Sequence, residues 1–210
     1  MPKTLRVVFW FSISFAAFLA AASAQPAAVS PAANLVRIGA AAAVHGMVQA
    51  AAPGAVGRII QSGKPLFLND HVTTDAQGRL QVMLLDETIF TIGPNSDMVL
   101  DEFVYDPTTS AGKVTARVTK GVFRFVTGKV ARKDPASMKV GLPIGTIGIR
   151  GTIAMGQVTG NDATVILGGP GSQNNTQDTP GAITVTSGDS SVDISRPGFG
   201  TTLQRGSSRR

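Results

Sequence analysis

The 210-residue chain has no cysteine, one tryptophan, one tyrosine and two histidines. Without cysteine there is no disulfide framework, so packing alone must hold the fold. His45 and His71 sit in separate segments, and no His/Cys spacing suits a zinc site. Tyr105 is the only tyrosine, and the one tryptophan, Trp10, lies in the apolar N-terminal run, so carbohydrate-stacking platforms are scarce. No G-x-S-x-G occurs, and no Ser, His and acid spacing nominates a nucleophile. Asp178-Thr-Pro-Gly181 is not an aspartic-protease Asp-Thr-Gly, because proline intervenes. The chain has no lysine beyond Lys139, which removes a phosphate-binding P-loop from the glycine-rich stretch that follows. These absences disfavour catalysis and cofactor binding.

What is present starts with Lys3 and Arg6, an apolar run from Val7 to Ala22, and Ala22-Ser23-Ala24. This pattern reads as a Sec-type secretory signal peptide cleaved after Ala24, which would place the protein in the periplasm or outside the cell. An uncleaved anchor is the alternative, since a spanning helix needs roughly 17–25 apolar residues. Cleavage would leave about 186 residues from Gln25, with 17 basic against 13 acidic ones and no transmembrane helix. A formal charge of +4 is mildly basic and is not the profile of a nucleic-acid binder.

The mature chain divides by composition. Residues 25–35 are an Ala/Pro/Ser linker, 36–200 an all-β domain, and 201–210 a disordered basic tail. The all-β reading rests on short Val/Ile/Thr/Phe segments separated by turn residues at intervals of roughly 8–12 residues. Leu80, Val82 and Leu84 share one parity, as do Val114, Ala116 and Val118. Val165/Leu167, Ile183/Val185 and Val192/Ile194 continue the alternation. Ala40–Ala43 is the only stretch with the look of a helical turn, and 168–181 is a long polar loop. Its Gly168-Gly-Pro-Gly171 opens like a calcium-binding nonapeptide, but Gln173 replaces the required aspartate.

Residues 142–156, LPIGTIGIRGTIAMG, place glycine at 145, 148 and 151. Val140, Leu142 and Ile144 have even parity, whereas Ile147, Ile149, Ile153 and Met155 are odd. Strand side chains alternate faces, so the change of parity predicts a bulge or corner at Gly145. Gly148, on the outer face, predicts a close neighbour. Arg150 either bonds turn carbonyls or presents its guanidinium to an acidic partner. A second feature is a run of charge: Lys120, Arg124, Lys129, Arg132, Lys133 and Lys139 against Asp134 alone. It is either a solvated edge and loop or a patch for a polyanionic surface or an envelope protein. The adjacent acids Asp101 and Glu102 would alternate faces on a strand, a poor arrangement for paired acid/base work.

Several stretches together resemble the FecR domain. They are Asn69-Asp70-His71-Val72-Thr73-Thr74, Gln77-Gly78-Arg79-Leu80, Leu84-Leu85-Asp86-Glu87-Thr88 and Thr91-Ile92-Gly93-Pro94-Asn95-Ser96. The most specific are Lys120-Gly121-Val122-Phe123-Arg124-Phe125-Val126-Thr127-Gly128 and Pro143-Ile144-Gly145-Thr146-Ile147-Gly148-Ile149-Arg150-Gly151-Thr152. The clear similarity covers roughly 65–155, and Gly145, Gly148, Gly151 and Thr152 carry its structural signature. The resemblance implies an all-β array of short strands, solenoid-like or sandwich-like. It does not bring the regulators' anti-sigma role, because neither their sigma-factor-binding nor their STN-like part has a counterpart here. The expectation is a non-catalytic binding or scaffold module without a cofactor. The alternative is an envelope hydrolase or metal-binding protein whose site is not local in sequence, and convergence of Asp86, Asp101, Glu102 and His71 in one pocket would discriminate in its favour.

Overall fold

The computed structural model describes residues 35–171 and 180–204. Short strands follow one another almost without interruption, as the alternating pattern requires: β1 (Arg37–His45), β2 (Val48–Ala51), β3 (Arg58–Ile59), β4 (Pro65–Phe67), β5 (His71–Thr74), β6 (Arg79–Leu84), β7 (Ile89–Ile92) and β8 (Asp97–Tyr105). The long β9 (Gly112–Val126) leads into a short helix α1 (Lys129–Lys133) and a 3-10 turn at Pro135–Ser137. Then come β10 (Met138–Leu142), β11 (Gly145–Arg150), β12 (Ile153–Thr159), β13 (Asp162–Gly169), β14 (Ala182–Ser187), β15 (Ser190–Ile194) and β16 (Gly200–Gln204). The fold is all-β. None of the described helices is long and apolar enough to cross a membrane.

The strands form one continuous mixed sheet with two wings that share β9. In the first wing the order is β4-β1-β6-β7-β9-β12-β13-β16, and in the second β3-β2-β5-β8-β9-β10-β11-β14-β15. The N-terminal part of β9 pairs with β8 and, in parallel, with β10; its C-terminal part pairs with β7 and β12. The buried faces of both wings meet in one core, with Phe90, Phe123 and Phe125 from the first and Met98, Met138 and Ile147 from the second. Phe123 and Phe125 stack with centroids 6.2 Å apart, and Phe90 tilts against Phe125 at 5.9 Å.

β9 can serve both wings because it changes face at Gly121. Val114, Ala116 and Val118 are buried before it, Phe123 and Phe125 after it. Gly121 has φ +93°, and a β-carbon there would lie 2.5 Å from Ser96 Cα. The neighbouring strand end is tied to this corner. Ser96 Oγ accepts from Val122 N at 3.1 Å, Ser96 N donates to Thr74 Oγ1 at 2.9 Å, and Thr74 Oγ1 donates to Gly93 O at 2.7 Å.

The glycine-rich stretch resolves differently from the sequence expectation. Leu142 pairs with Gly145 across a two-residue turn, Pro143–Ile144, so the parity changes through a hairpin and not through a bulge. Gly145 is needed for space: a β-carbon would lie 2.5 Å from Thr186 O and 2.7 Å from Leu203 Cδ1. Gly148 has no such neighbour, since the nearest atom to its β-carbon would be Thr184 O at 3.8 Å. The corner itself lies at Gly151, with φ +46°, where the chain passes from the second wing to the first. Parity changes again there, so Ala154 and Val158 are buried, while Ile153 and Met155 turn outward and are half-buried. Gly145→Ala should therefore lower stability by about 1–3 kcal/mol, the range for overpacking. Gly148→Ala should stay within about 0.5 kcal/mol of wild type. Urea unfolding of the two variants checks this, and equal midpoints would refute the assignment.

Three other expectations change. Ala40–Ala43 is strand, not helix, because β1 is pinned between β4 and β6, and tertiary pairing overrides alanine's helix propensity. Residues 201–204 are not tail but part of β16, paired with β13 through Thr201, Thr202, Leu203 and Gln204. Val192 pairs with Val185 but is 46% exposed on the edge strand β15, so only Ile194 of that pair is buried. The proposed signal peptide, nearly all of the linker, most of the polar loop and the last six residues lie outside the described residues.

Candidate anion-binding cleft

The end of β9, the start of β12, the Gly151 corner and α1 enclose a cleft of about 460 Å³. Its walls are built from local sequence. Leu84 to Thr88 forms a tight turn, with Glu87 at φ +70°, that aims the buried Asp86 carboxylate at the N-terminus of α1. That carboxylate accepts from Thr88 N at 3.1 Å, Thr88 Oγ1 at 2.8 Å and Val130 N at 3.4 Å. The Asp86 carbonyl accepts from Lys129 N at 2.7 Å, and Thr88 Oγ1 from Gly128 N at 3.0 Å. Asp86 thus supplies from another strand connection the anionic cap that Gly128 cannot offer. Lys129 closes the latch on Glu87 at 2.6 Å. The hydrogen bond from Lys129 holds the Glu87 carboxyl below the ordinary carboxylate range, and Glu87 in turn raises Lys129.

The opposite wall is the Gly151–Thr152 corner. Thr152 N donates to Thr127 Oγ1 at 3.0 Å and Thr127 N returns a bond to Thr152 O at 3.2 Å. Buried Thr152 also donates from its hydroxyl to the Gly169 carbonyl. This clasp fixes where Arg150 leaves β11. Arg132, at the end of α1, donates to Thr127 O at 3.3 Å and lines the same cleft. Asp134 beside it is held below the usual carboxylate range by Ser137 Oγ and by Ala136 N, which keeps Pro135 in place on the rim.

Arg132 and Arg150 are therefore brought together, and no carboxylate lines the cleft. The Arg150 side chain is exposed and has no hydrogen bond or ion pair among the described residues, so it does not fasten turn carbonyls. The remaining lining is apolar or hydroxylic: Val126, Ala131, Ile153, Pro170, Thr127 and Thr152. A low-acid recess with two guanidiniums favours a carboxylate or phosphate, which guanidinium binds bidentately.

The rest of the basic run does not converge here. Arg124 lies on the outer face of the first wing, and Lys139 on that of the second. Lys120 sits beside the Gly121 corner, and Lys133 is spent on the Thr109 carbonyl at 2.8 Å. Nor do the four candidate groups for hydrolytic or metal chemistry meet. Asp86 is the helix cap, while His71, paired with Asp97 at 2.8 Å, shares a recess with Asp101 on the second wing. A bulge at Leu100–Glu102 corrects the expected alternation. It lets Asp101 reach Arg117 at 3.2 Å and Glu102 reach Lys113 at 3.0 Å, both cations being exposed. Asp70, in the Asn-Asp-His segment, is a structural group: buried, forked onto Arg58 and bonded by Phe67 N at 2.8 Å. No group of three or more potential metal ligands occurs among the described residues. Sequence reasoning names Arg132 and Arg150 separately and gives Thr127 no role of its own, although it stands in the Lys120–Gly128 stretch that resembles the FecR domain.

The family model described as FecR protein matches residues 70–168. No curated protein and no solved structure matches the chain. The matched segment runs from the start of β5 almost to the end of β13, and holds β9, the Gly121 corner, the Asp86 latch and both cleft arginines. β1–β4 and β14–β16 lie outside it, and four of them, β1, β2, β14 and β16, pair with its strands. Residues 70–168 of this chain are thus similar to the FecR domain.

Proposed function

We propose that the protein is a non-catalytic binding module of the bacterial envelope, and that its cleft holds an anionic group of a partner between Arg132 and Arg150. The observation that carries this reading is the cleft itself: two arginines, one of them free of any described partner, and no acid. Export is supported by Lys3, Arg6, the apolar run and Ala22-Ser23-Ala24.

One preparation tests both halves. The full-length gene is expressed, the periplasmic fraction collected, and the purified protein's start at Gln25 read by intact mass. It is then titrated with succinate and with inorganic phosphate while the backbone amides of Gly151 and Thr152 are followed by NMR. Saturable shifts are expected that disappear in the Arg132→Ala/Arg150→Ala double variant. Recovery only as a membrane-held chain starting at Met1 would remove the export half. Identical titrations of wild type and double variant would remove the cleft.

A further inference from the structure

The outer face of the first wing departs from the alternation that a solvated sheet face requires. One row reads Ala43, Gln81, Thr91, Arg124, Met155 across β1, β6, β7, β9 and β12, and is polar at its three middle positions. The row beside it reads Ala40, Met83, Ile89, Val126, Ile153 across β1, β6, β7, β9 and β12, and is apolar at every position. These side chains are not core. Their strand neighbours Val82, Phe90, Phe125 and Ala154 point into it, Met83 is 51% exposed, and Ile89, Val126 and Ile153 are half-buried. Leu85, 50% exposed, stands at the turn beside Met83. A contiguous apolar strip, beside a row that is polar at its centre, marks an interaction surface.

The strip has a direction. Its last two members, Val126 and Ile153, are walls of the arginine cleft. From Ala40 to Ile153 it crosses four strand spacings, about 19 Å at roughly 4.7–4.9 Å each. Six extended residues cover that length, at about 3.3–3.6 Å per residue. We infer that this row is the docking track of an extended peptide segment, whose apolar side chains lie on Met83, Ile89 and Val126 and whose carboxylate enters the cleft at Arg132 and Arg150. The inference rests on the anionic-cleft reading above and adds the partner class to it. Arg124 borders the track without an ion pair among the described residues, so its charge complements an acidic segment. An acyl chain fits the surface poorly: the strip is an open face that would leave one side of the hydrocarbon in water. A peptide satisfies an open face, because its own backbone and alternate side chains can remain hydrated.

The test uses a fluorescein-labelled heptapeptide of alternating valine and threonine ending in two aspartates with a free C-terminus, measured by anisotropy. Saturable binding to the wild-type protein is expected. It should weaken at least tenfold in Met83→Ser/Ile89→Thr, whose circular dichroism and melting confirm the fold, and at least tenfold in Arg150→Ala. Replacing the peptide's aspartates by asparagines, with an amidated C-terminus, should cost the wild type as much and Arg150→Ala little more. Loss of affinity in Met83→Ser/Ile89→Thr but not in Arg150→Ala would uphold the track and overturn the cleft. The reverse would overturn the track and leave the cleft. No binding below 1 mM peptide, measured against vesicles of phosphatidylglycerol and phosphatidylcholine, would overturn the inference. So would vesicle binding abolished by Met83→Ser/Ile89→Thr, which would make the face a lipid surface. A dimer in sedimentation that the same pair dissociates would assign the track to a second copy and overturn it equally.

Discussion

Gly121→Ala is expected to lower stability by about 2–5 kcal/mol. A non-glycine residue at positive φ costs roughly 1–2 kcal/mol. Forcing an atom into a filled site adds typically about 1–3 kcal/mol. Both apply, because φ is +93° and the new β-carbon would press on Ser96, backbone included. Ser96 cannot simply retreat: its hydroxyl and amide are engaged with Val122 and Thr74. Urea unfolding against a Lys120→Ala control separates the corner from its exposed neighbour. A Gly121→Ala midpoint equal to that control would mean β9 does not turn there.

The second large effect is at Asp86. Asp86→Ala leaves Thr88 N, the Thr88 hydroxyl and Val130 N without their acceptor in a site closed to water. Each buried donor left unpaired costs about 1–3 kcal/mol, so with three of them a loss of at least about 3 kcal/mol is expected. The same change should loosen α1 before the sheet, because the carboxylate is what holds that helix end. Hydrogen exchange at 128–133 should accelerate more than at 114–118. Asp86→Asn, which keeps one carbonyl acceptor, should fall between. Uniform acceleration across both segments would show that Asp86 supports the whole core and not the helix.

The alternating parity of β6 and β9 was readable because burial on one face leaves a direct mark on a strand's sequence. So was the existence of a corner in the glycine-rich stretch. Its position was not: the parity change before Gly145 belongs to a two-residue hairpin at Pro143–Ile144, which a bulge would mimic in sequence, and the corner lies at Gly151. The alanines of β1 misled for a related reason, since small side chains record neither period. The cleft was half legible. Arg132 and Arg150 stood out as charges, but eighteen residues separate them, and the Thr127–Thr152 clasp that joins their backbones is invisible to spacing. Asp86 looked like a candidate for chemistry until its three donors accounted for it.

The sharing of β9 also sets the order in which this chain can become safe from its neighbours. Its strands visit the wings in alternation: β1 in the first, β2 and β3 in the second, β4 back in the first, β5 in the second. Neither wing is therefore a continuous piece of chain that could fold and wait. Until residues 112–126 arrive, β7 and β8 both present open hydrogen-bonding edges, one bearing Phe90 and Ile92 and the other Met98 and Leu100. Exposed apolar edges of that kind recruit other strands, including those of other molecules. A growing or truncated chain carries two such edges at once, and a single segment closes both.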